Sequence, residues 1–458
     1  MFKTKAKIRR FKFWWYLIGA YFAKYKLRLA SLLLVIIVAI VLAAKIWPYV
    51  TKSNVVSIGY VGSYTIENIP SQILSLATNS LIAYNESGKP TGSLASNWTV
   101  SDDGKTYIVF LKDNLRWHDS SAVTAQSISI AITNVEINAP NNKTLEFKLP
   151  NPIASFPQTL NRPVFKSNSF YGTGEFRIVK IDQVGSIVKK IFLHSPNHQL
   201  PKVEIKFYAN EEQLVQAVKI GEVKSATILD VQDLSRWPNL AIDKSRDNSQ
   251  IATIFLNNSD SLLSSKELRQ ALAYAIDRSA FDGVSADSPI PPVSWAYNTS
   301  LKDYGFNQAK AKELITKSEL KNIKIALSTT AELKEVALKI KKNWQEVGIE
   351  VEIKEEKNVP ESFQALLAID ILSPDPDQYA LWHSTQKNTN ITRYKNVKID
   401  KLLEDARATS DEKARKQFYE DFQKFLVEDE PAIFLYQPYR YQVTYKNVQE
   451  LLSKLPKM

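Results

Sequence analysis

Residues 366–385, LLAIDILSPDPDQYALWHST, carry a pattern that recurs nowhere else in the chain. The run 366–371 predicts a buried strand, because every position in it except Asp370 is apolar. Pro374 and Pro376 then end the strand, since each proline fixes φ and lacks a backbone donor. The stretch therefore predicts a buried strand that stops at a rigid turn.

Aromatic side chains follow this turn at roughly one-turn spacing, at Tyr379, Trp382 and His383. A rigid turn that presents aromatic residues is typical of a pocket wall. The alternative is an ordinary strand, turn and helix whose aromatic residues lie in the core. From one sequence, Trp382 fits either interpretation.

Two β-α-β units precede this stretch, at residues 203–208, 211–220 and 225–229 and at residues 323–327, 331–347 and 349–353. Between the units, Ser264 and Glu267 form a capping box ahead of a helix. The apolar residues of that helix recur at the helical period and are Leu268, Ala271, Leu272, Ala275 and Ile276. Alternating strands and helices predict an α/β fold.

The charge of the chain is concentrated at its N-terminus. The whole sequence of 458 residues has a formal net charge of +11, but residues 1–52 hold eleven Lys and Arg and no acidic residue. The remainder carries 48 Lys and Arg against 48 Asp and Glu, so its net charge is zero. A nucleic-acid-binding domain is expected to carry a basic patch on its folded part. We therefore predict no nucleic-acid partner.

The basic tail surrounds a candidate membrane span. Residues 29–44 are uncharged and mostly apolar, and with Trp47 and Tyr49 as interfacial residues the segment 29–50 reaches the roughly 20 residues that a transmembrane helix needs. Nine Lys and Arg precede the span, which predicts a cytoplasmic N-terminus. Residues 1–28 are predicted to be a basic cytoplasmic tail whose segment 11–25 is amphipathic. The alternative is a signal peptide cleaved near Ala44.

Motifs for catalysis or metal binding do not emerge from the sequence. The chain has four His and no Cys, which excludes disulfides and a lipid-modified cysteine. Pro196 lies between His194 and His198 and argues against a helical metal-binding pair. No nucleophile and base occur in a recognisable arrangement. The sequence therefore predicts a protein that is not an enzyme and that has no cofactor and no metal site.

Six short motifs occur in order along the part of the chain that follows the candidate membrane span. They are GSLASNWTVSDDGKTY at 92–107, LKDNLRWHD at 111–119, VTAQS at 123–127, GTGEF at 172–176, LRQALAYAIDR at 268–278 and DPD at 375–377. Taken together they resemble the extracellular solute-binding protein family 5, whose members bind peptides or nickel and serve ATP-driven importers. The resemblance covers residues 55–445, and it lacks the lipid-anchoring cysteine of that family.

The resemblance implies a two-lobed α/β fold of the periplasmic-binding-protein type (type II, cluster C) that closes on its ligand about a hinge. It implies lobe 1 at residues 53–258 and 432–458, with a small β-rich subdomain at about 83–164. Lobe 2 is then expected at residues 259–431. The chain is expected to cross between the lobes near residues 253–258 and again near 432–437.

The predicted substrate-binding residues are Asn257, Trp295, Asp370, Leu372, Asp375, Tyr379, Trp382 and His383. In peptide-binding members of the family, an Asp three residues before the Asp-Pro holds the α-amine of the ligand. Leu372 occupies that position here, and Asp370 shares its face on a strand. If Asp370 does not compensate, peptides with a free or an acetylated N-terminus are expected to bind equally well.

Two functions of different classes follow. The first is a membrane-anchored solute-binding protein that captures oligopeptides or similar small solutes and delivers them to the permease subunits of an ABC importer. The alternative is a membrane-anchored receptor or adaptor that uses the same fold to bind a protein partner. Both place the N-terminus in the cytoplasm and the binding domain outside the cell membrane, in the periplasm or the extracellular space.

Overall fold

The computed structural model describes residues 14–16, 24, 54–231, 234–357 and 359–456. The strands, in chain order, are β1 (Val55–Val61), β2 (Ile82–Tyr84), β3 (Pro90–Gly92), β4 (Ala95–Val100), β5 (Thr106–Leu111), β6 (Ile128–Ser129), β7 (Glu136–Asn141), β8 (Thr144–Lys148), β9 (Phe165–Lys166), β10 (Arg177–Val184), β11 (Ile187–His194), β12 (Lys202–Tyr208), β13 (Ser225–Ile228), β14 (Leu240–Arg246), β15 (Gln250–Leu256), β16 (Gly283–Ser285), β17 (Lys324–Thr330), β18 (Glu350–Glu356), β19 (Ala365–Ile371) and β20 (Ala432–Tyr445).

The α-helices are α1 (Ser71–Leu74), α2 (Phe156–Thr159), α3 (Glu211–Lys219), α4 (Lys266–Tyr274), α5 (Gln308–Lys317), α6 (Lys334–Glu346), α7 (Tyr379–Trp382), α8 (Val397–Ala408), α9 (Glu412–Asp429) and α10 (Gln449–Leu452). Single 3₁₀ turns lie at Ile66–Asn68, Ala125–Ser127, Arg278–Ala280, Ala331–Leu333 and Lys446–Val448. The predicted capping box of Ser264 and Glu267 is wrong, because the N-cap of α4 is Ser265, whose Oγ accepts a hydrogen bond from the Leu268 amide.

One long sheet runs through the fold in the order β10-β11-β12-β1-β13-β20-β15-β19-β17-β18, and β14 and β16 also pair with β20. The second predicted β-α-β unit is present as the parallel pairing of β17 with β18 at one edge of the sheet. In the first predicted unit, β12 and β13 do not pair with each other, because β1 lies between them and pairs with β13 in parallel. The sheet falls into two halves, with β20 as their common strand. The first half contains β1 and β10 to β14, and the second contains β15 to β19.

The strand β20 joins the halves because its two ends have different partners. Its C-terminal part pairs with β13 and β14, whereas its N-terminal part pairs with β15 and β16. The chain crosses between the halves at the β14–β15 turn, residues 247–249, and again in the middle of β20. The first crossing was expected near residues 253–258, at the opposite end of β15, while the second lies at the end of its expected range.

The second half is a three-layer α/β/α arrangement. Successive residues of β15 belong to two different hydrophobic cores, one on each face of the sheet, because strand side chains alternate between faces. Ile251 and Phe255 pack with α8 and α9 on one face, and Ala252 and Ile254 pack with α4 and α6 on the other. The strand β19 lies beside β15 along its full length. Its continuous apolar run therefore reflects burial on both faces.

A β-rich region precedes β10, in the part of the chain where the family resemblance implies a small subdomain at about residues 83–164. Its sheet has the order β4-β5-β8-β7 and covers a core that includes Trp117, Phe147 and Phe156. Short ladders join β2 to β3 and β6 to β9. This region supplies two segments that contact the second half of the sheet, and these contacts form part of the candidate site.

The predicted membrane span, residues 29–50, lies outside the described residues. Within the part of the chain that the structure describes, no helix is both long enough and apolar enough to cross a bilayer. The span and its orientation therefore stay predictions from sequence.

Candidate functional site

A cleft with a cavity volume of about 190 Å³ opens where four segments meet. Its walls are a loop of the β-rich region, the β14–β15 turn, a loop after β16 and the turn that follows β19. The lining residues are Asn85, Glu86, Ser87, Gly88, Asn248, Ser249, Pro289, Ile290, Pro291, Val293, Ser294, Leu372, Ser373, Pro374, Pro376 and Gln378. The stretch singled out in the sequence therefore forms one wall of this cleft.

The turn after β19 is held in place by two carboxylates. Asp375 is buried and lies 2.9 Å from Nη2 of Arg415 in α9. Burial raises the pKa of the Asp375 carboxyl, and Arg415 opposes this shift by stabilising the ionised form. Asp377 accepts hydrogen bonds from Nε of Arg407, at 2.7 Å, and from Oγ of Ser155, at 2.6 Å. The DPD motif is therefore a structural turn whose acids are paired.

The loop at residues 85–88 forms another wall of the cleft and contacts both Trp295 and this turn. The indole nitrogen of Trp295 donates to the Gly88 carbonyl at 3.1 Å, and its backbone amide donates to the Ser87 carbonyl at 3.0 Å. Gly88 has a φ of +78°, and a Cβ atom added there would lie 2.3 Å from the carbonyl oxygen of Pro374. Only glycine fits this approach without displacing the backbone. Trp295 thus acts at the edge of the cleft, as a bridge between its walls.

Asp370 lies behind the cleft wall in β19. Its side chain is 8% exposed, and Oδ2 has no hydrogen-bond partner among the described residues. Burial raises the pKa of its carboxyl to about 6. Leu372, two residues further along, lines the cleft and is itself 8% exposed. Asp370 lies opposite Ile251 in the pairing of β19 with β15, and Leu372 belongs to the same packed cluster as Ile251, so both residues lie on the same face, as predicted.

The remaining predicted site residues pack elsewhere. Trp382 is 1% exposed, and its indole nitrogen donates to Oε1 of Gln378, so it is a core residue. His383 is buried, stacks on Tyr379 at 4.1 Å and contacts Glu404 at 3.2 Å. Asn257 lies beyond the far end of β15, where its Nδ2 donates to the Phe363 carbonyl. None of these residues lines the cleft, although all were expected there.

Sequence reasoning missed most of the cleft. No sequence pattern indicated that the loop at residues 85–88 or the turn at residues 248–249 belongs to a site. A further residue, Gln437, is fully buried in β20, and neither Nε2 nor Oε1 has a hydrogen-bond partner among the described residues. A glutamine that directly follows the apolar run 432–436 was the available signal. Among the described residues, no group of three His, Asp or Glu side chains is placed to hold a metal ion.

The fold and the cleft together define a two-lobed solute-binding protein. The chain matches "Bacterial extracellular solute-binding proteins, family 5 Middle" over residues 89–135 and 127–392. This match covers more than half of the chain, so the protein belongs to that family. The resemblance drawn from the six sequence motifs is confirmed.

Known relatives are distant but extend over most of the chain. The probable D,D-dipeptide-binding periplasmic protein DdpA of Escherichia coli K12 is 24% identical over an alignment of 423 residues that covers 79% of this chain and 80% of that protein. The oligopeptide-binding protein AppA of Bacillus subtilis is 24% identical over 440 residues, with coverage of 78% and 80%. The structure of NikZ from Campylobacter jejuni, in complex with Ni(L-His), has a TM-score of 0.72 at 19% identity and covers 86% of this chain and 94% of its own.

Proposed function

We propose that this protein captures oligopeptides or similar small solutes in the cleft and delivers them to the permease subunits of an ABC importer. We further propose that residues 29–50 anchor it in the cell membrane with the binding domain outside. The observation that carries the proposal is a cleft lined by the second half of the sheet, by the β-rich region and by the β14–β15 turn, where the chain crosses between the halves. The names of the two relatives favour peptides over other solutes.

The arrangement of the cleft suits closure about a hinge. The β14–β15 turn lies at a chain crossing and also lines the cleft, so a change in its backbone angles alters the distance between the walls. Contacts such as Ser155 with Asp377 and Gly88 with Trp295 join the β-rich region to the second half of the sheet. Contacts of this kind are expected of the closed arrangement. We propose residues 247–249 and 437–439 as the hinge, in place of the first crossing expected from sequence.

The test begins with the full-length chain purified in detergent, from which bound peptides are released and identified by mass spectrometry. Re-addition of an identified peptide should raise the melting temperature, because a ligand that binds only the folded state stabilises it by mass action. Small-angle scattering should show a smaller radius of gyration for the complex. The free amino acids of the same composition serve as the negative control.

A matched pair of variants locates the binding site. Val293 lines the cleft and is 39% exposed, so Val293→Trp is expected to fill the cleft without disturbing the fold. Ile371 is 76% exposed and does not line the cleft, so Ile371→Trp is expected to bind peptide normally. Equal peptide affinity in the two variants, or no change in melting temperature and radius at saturation, would contradict the proposal.

A further inference from the structure

The residues that line the cleft are almost all uncharged. Among the sixteen described residues of the lining, Glu86 is the single charged one, and none is Lys, Arg or His. Glu86 is exposed to solvent, so its carboxylate lies at the rim of the cleft and not at its base. The lining therefore offers a ligand one negative charge and no positive charge.

Cations that belong to the cleft walls or hold them in place already have acidic partners. The pairs are Lys89 with Glu412 at 2.7 Å, Arg407 with Asp377 at 2.7 Å, Arg415 with Asp375 at 2.9 Å and Arg440 with Asp247 at 3.1 Å. Each of these pairs neutralises the cation within the protein. A carboxylate that enters the cleft would therefore meet no cationic partner in its lining.

The walls of the cleft are apolar and stiff. The apolar residues of the lining are Pro289, Ile290, Pro291, Val293, Leu372, Pro374 and Pro376. Four of the seven are prolines, whose φ is fixed by the ring. Proline also lacks a backbone N–H, so these four positions offer no hydrogen-bond donor to an anionic ligand. The walls thus favour contact with apolar groups over binding of a carboxylate.

The size of the cleft limits how much of a ligand can enter. Its cavity volume of about 190 Å³ lies below the range of about 300–1,000 Å³ that is usual for sites of drug-sized ligands. An apolar cavity of roughly 150 Å³ is large enough for benzene. The cleft therefore has room for one side chain and its adjoining main chain, while the remainder of a longer peptide lies outside.

We propose that the cleft selects peptides by one uncharged, apolar side chain and excludes carboxylates, with Glu86 as a specificity-determining residue. The inference rests on the proposed capture of peptides in this cleft. An apolar side chain gains free energy when it leaves water, in proportion to the area that it buries. A carboxylate in the same place loses its hydration without a compensating partner, and the Glu86 carboxylate repels it.

The test uses the full-length chain in detergent and three tetrapeptide libraries with a free N-terminus and an amidated C-terminus. Three residues of each peptide are Ala, and the fourth is Leu, Ile or Val in the first library, Asn or Gln in the second, and Asp or Glu in the third. The libraries compete in one incubation, and retained peptides are quantified by mass spectrometry. We expect the apolar library to be retained roughly ten- to hundred-fold better than the acidic one. The amide library separates the effect of charge from that of polarity.

Two variants change the charge of the cleft. Glu86→Gln removes the repulsion, so at low ionic strength the retention of the acidic library relative to the amide library should rise a few-fold. The ratio of the apolar to the amide library should stay unchanged in this variant, because Glu86 contributes charge and not apolar surface.

Val293→Lys introduces a cation into the lining and should raise the retention of the acidic library relative to the amide library roughly ten-fold, as for a hydrogen bond to a charged group. Ile371→Lys is the matched control, because it makes the same change of charge at a residue that is 76% exposed and does not line the cleft. It should retain the three libraries in the proportions of the wild type.

Each outcome bears on the proposal. Equal retention of the three libraries, or a preference for the acidic one, overturns the selectivity but leaves peptide capture intact. Retention of none of them overturns peptide capture, and the selectivity with it. The same gain of acidic peptides in Val293→Lys and Ile371→Lys would assign the effect to overall charge and overturn the role of the cleft. If Val293→Lys does not fold or binds no peptide, Glu86→Gln decides, and unchanged library ratios in that variant overturn the role of Glu86.

Discussion

Trp382 and Trp295 are two tryptophans of the same packed cluster with different roles. The first is 1% exposed in the core, and the second bridges the walls of the cleft through Ser87 and Gly88. Trp382→Ala should lower the free energy of unfolding by about 3–5 kcal/mol, the usual cost of removing a large buried side chain. Denaturant unfolding followed by circular dichroism measures this loss.

Trp295→Ala is the matched variant. It should lower stability less and should weaken peptide binding, because the loop at residues 85–88 loses its anchor at the cleft. A Trp382→Ala variant as stable as the wild type but unable to bind would restore the original expectation that Trp382 lines the site.

Asp370 should also make stability depend on pH in the absence of ligand. Burial raises the pKa of its carboxyl to about 6, above the value of about 4 in an unfolded chain. Between about pH 4 and pH 6 the folded state therefore binds more protons than the unfolded state, and this group lowers stability as pH rises through that window. The penalty is fully present above pH 6.

Asp370→Asn removes this penalty. At pH 7.5 the variant should be more stable than the wild type by up to roughly 3 kcal/mol, and the difference should vanish near pH 4. Melting temperatures of the wild type and of Asp370→Asn at the two pH values provide the measurement. Thr253→Val is the control, because it changes no titratable side chain. A variant that is less stable at pH 7.5 would show that the Asp370 carboxylate has a stabilising partner.

At the scale of the elements, Gly88 and Gly185 lie in two turns with similar backbone angles but different surroundings. Comparing them distinguishes the cost of a positive φ from the cost of a steric clash. Both glycines have positive φ, +78° and +62°, but a Cβ atom at Gly185 would meet nothing within 4 Å. Gly185→Ala should therefore cost only about 1–2 kcal/mol, the cost of a left-handed alanine. Gly88→Ala should cost more and should weaken peptide binding, because it pushes the loop away from Pro374.

Thermal unfolding and peptide affinity of the two alanine variants test this prediction. Equal losses in both variants, with binding unaffected in each, would mean that the contact between Gly88 and Pro374 does not position the cleft wall.

Prediction from the sequence succeeded where a local pattern is sufficient. The apolar run of β19, the proline turn after it and the helix α4 each follow from neighbouring residues. It failed where the answer depends on distant partners. Nothing near residue 250 shows that β15 belongs with β19, because that pairing is formed across more than a hundred residues. Trp382 could not be assigned for the same reason, since its burial depends on Phe434 and α8. Gln437 became informative only in the structure, where neither of its side-chain polar atoms has a hydrogen-bond partner among the described residues.

At the scale of the whole molecule, the predicted membrane span at residues 29–50 leads to a prediction about where the protein is located. Arg28 and Lys45 bracket an apolar run, and nine basic residues precede it. The intact chain of 52.0 kDa should therefore fractionate with membranes and resist extraction by salt. Immunoblotting of the fractions with N-terminal sequencing provides the measurement. A soluble protein that begins near Ala44 or Lys45 would identify the segment as a cleaved signal peptide.

The position of β20 after all of its partner strands in the chain has a consequence for biosynthesis. The ribosome completes residues 432–445 only after β13, β14 and β15, the strands that pair with them, have been made. Until then, β13 and β15 each lack a neighbour that the finished sheet provides. A nascent or prematurely terminated chain that stops before residue 432 therefore contains neither half of the sheet in complete form. The two halves mature together, only after residues 432–445 have been made, so products that stop before residue 432 should be degraded and not accumulate as single folded lobes.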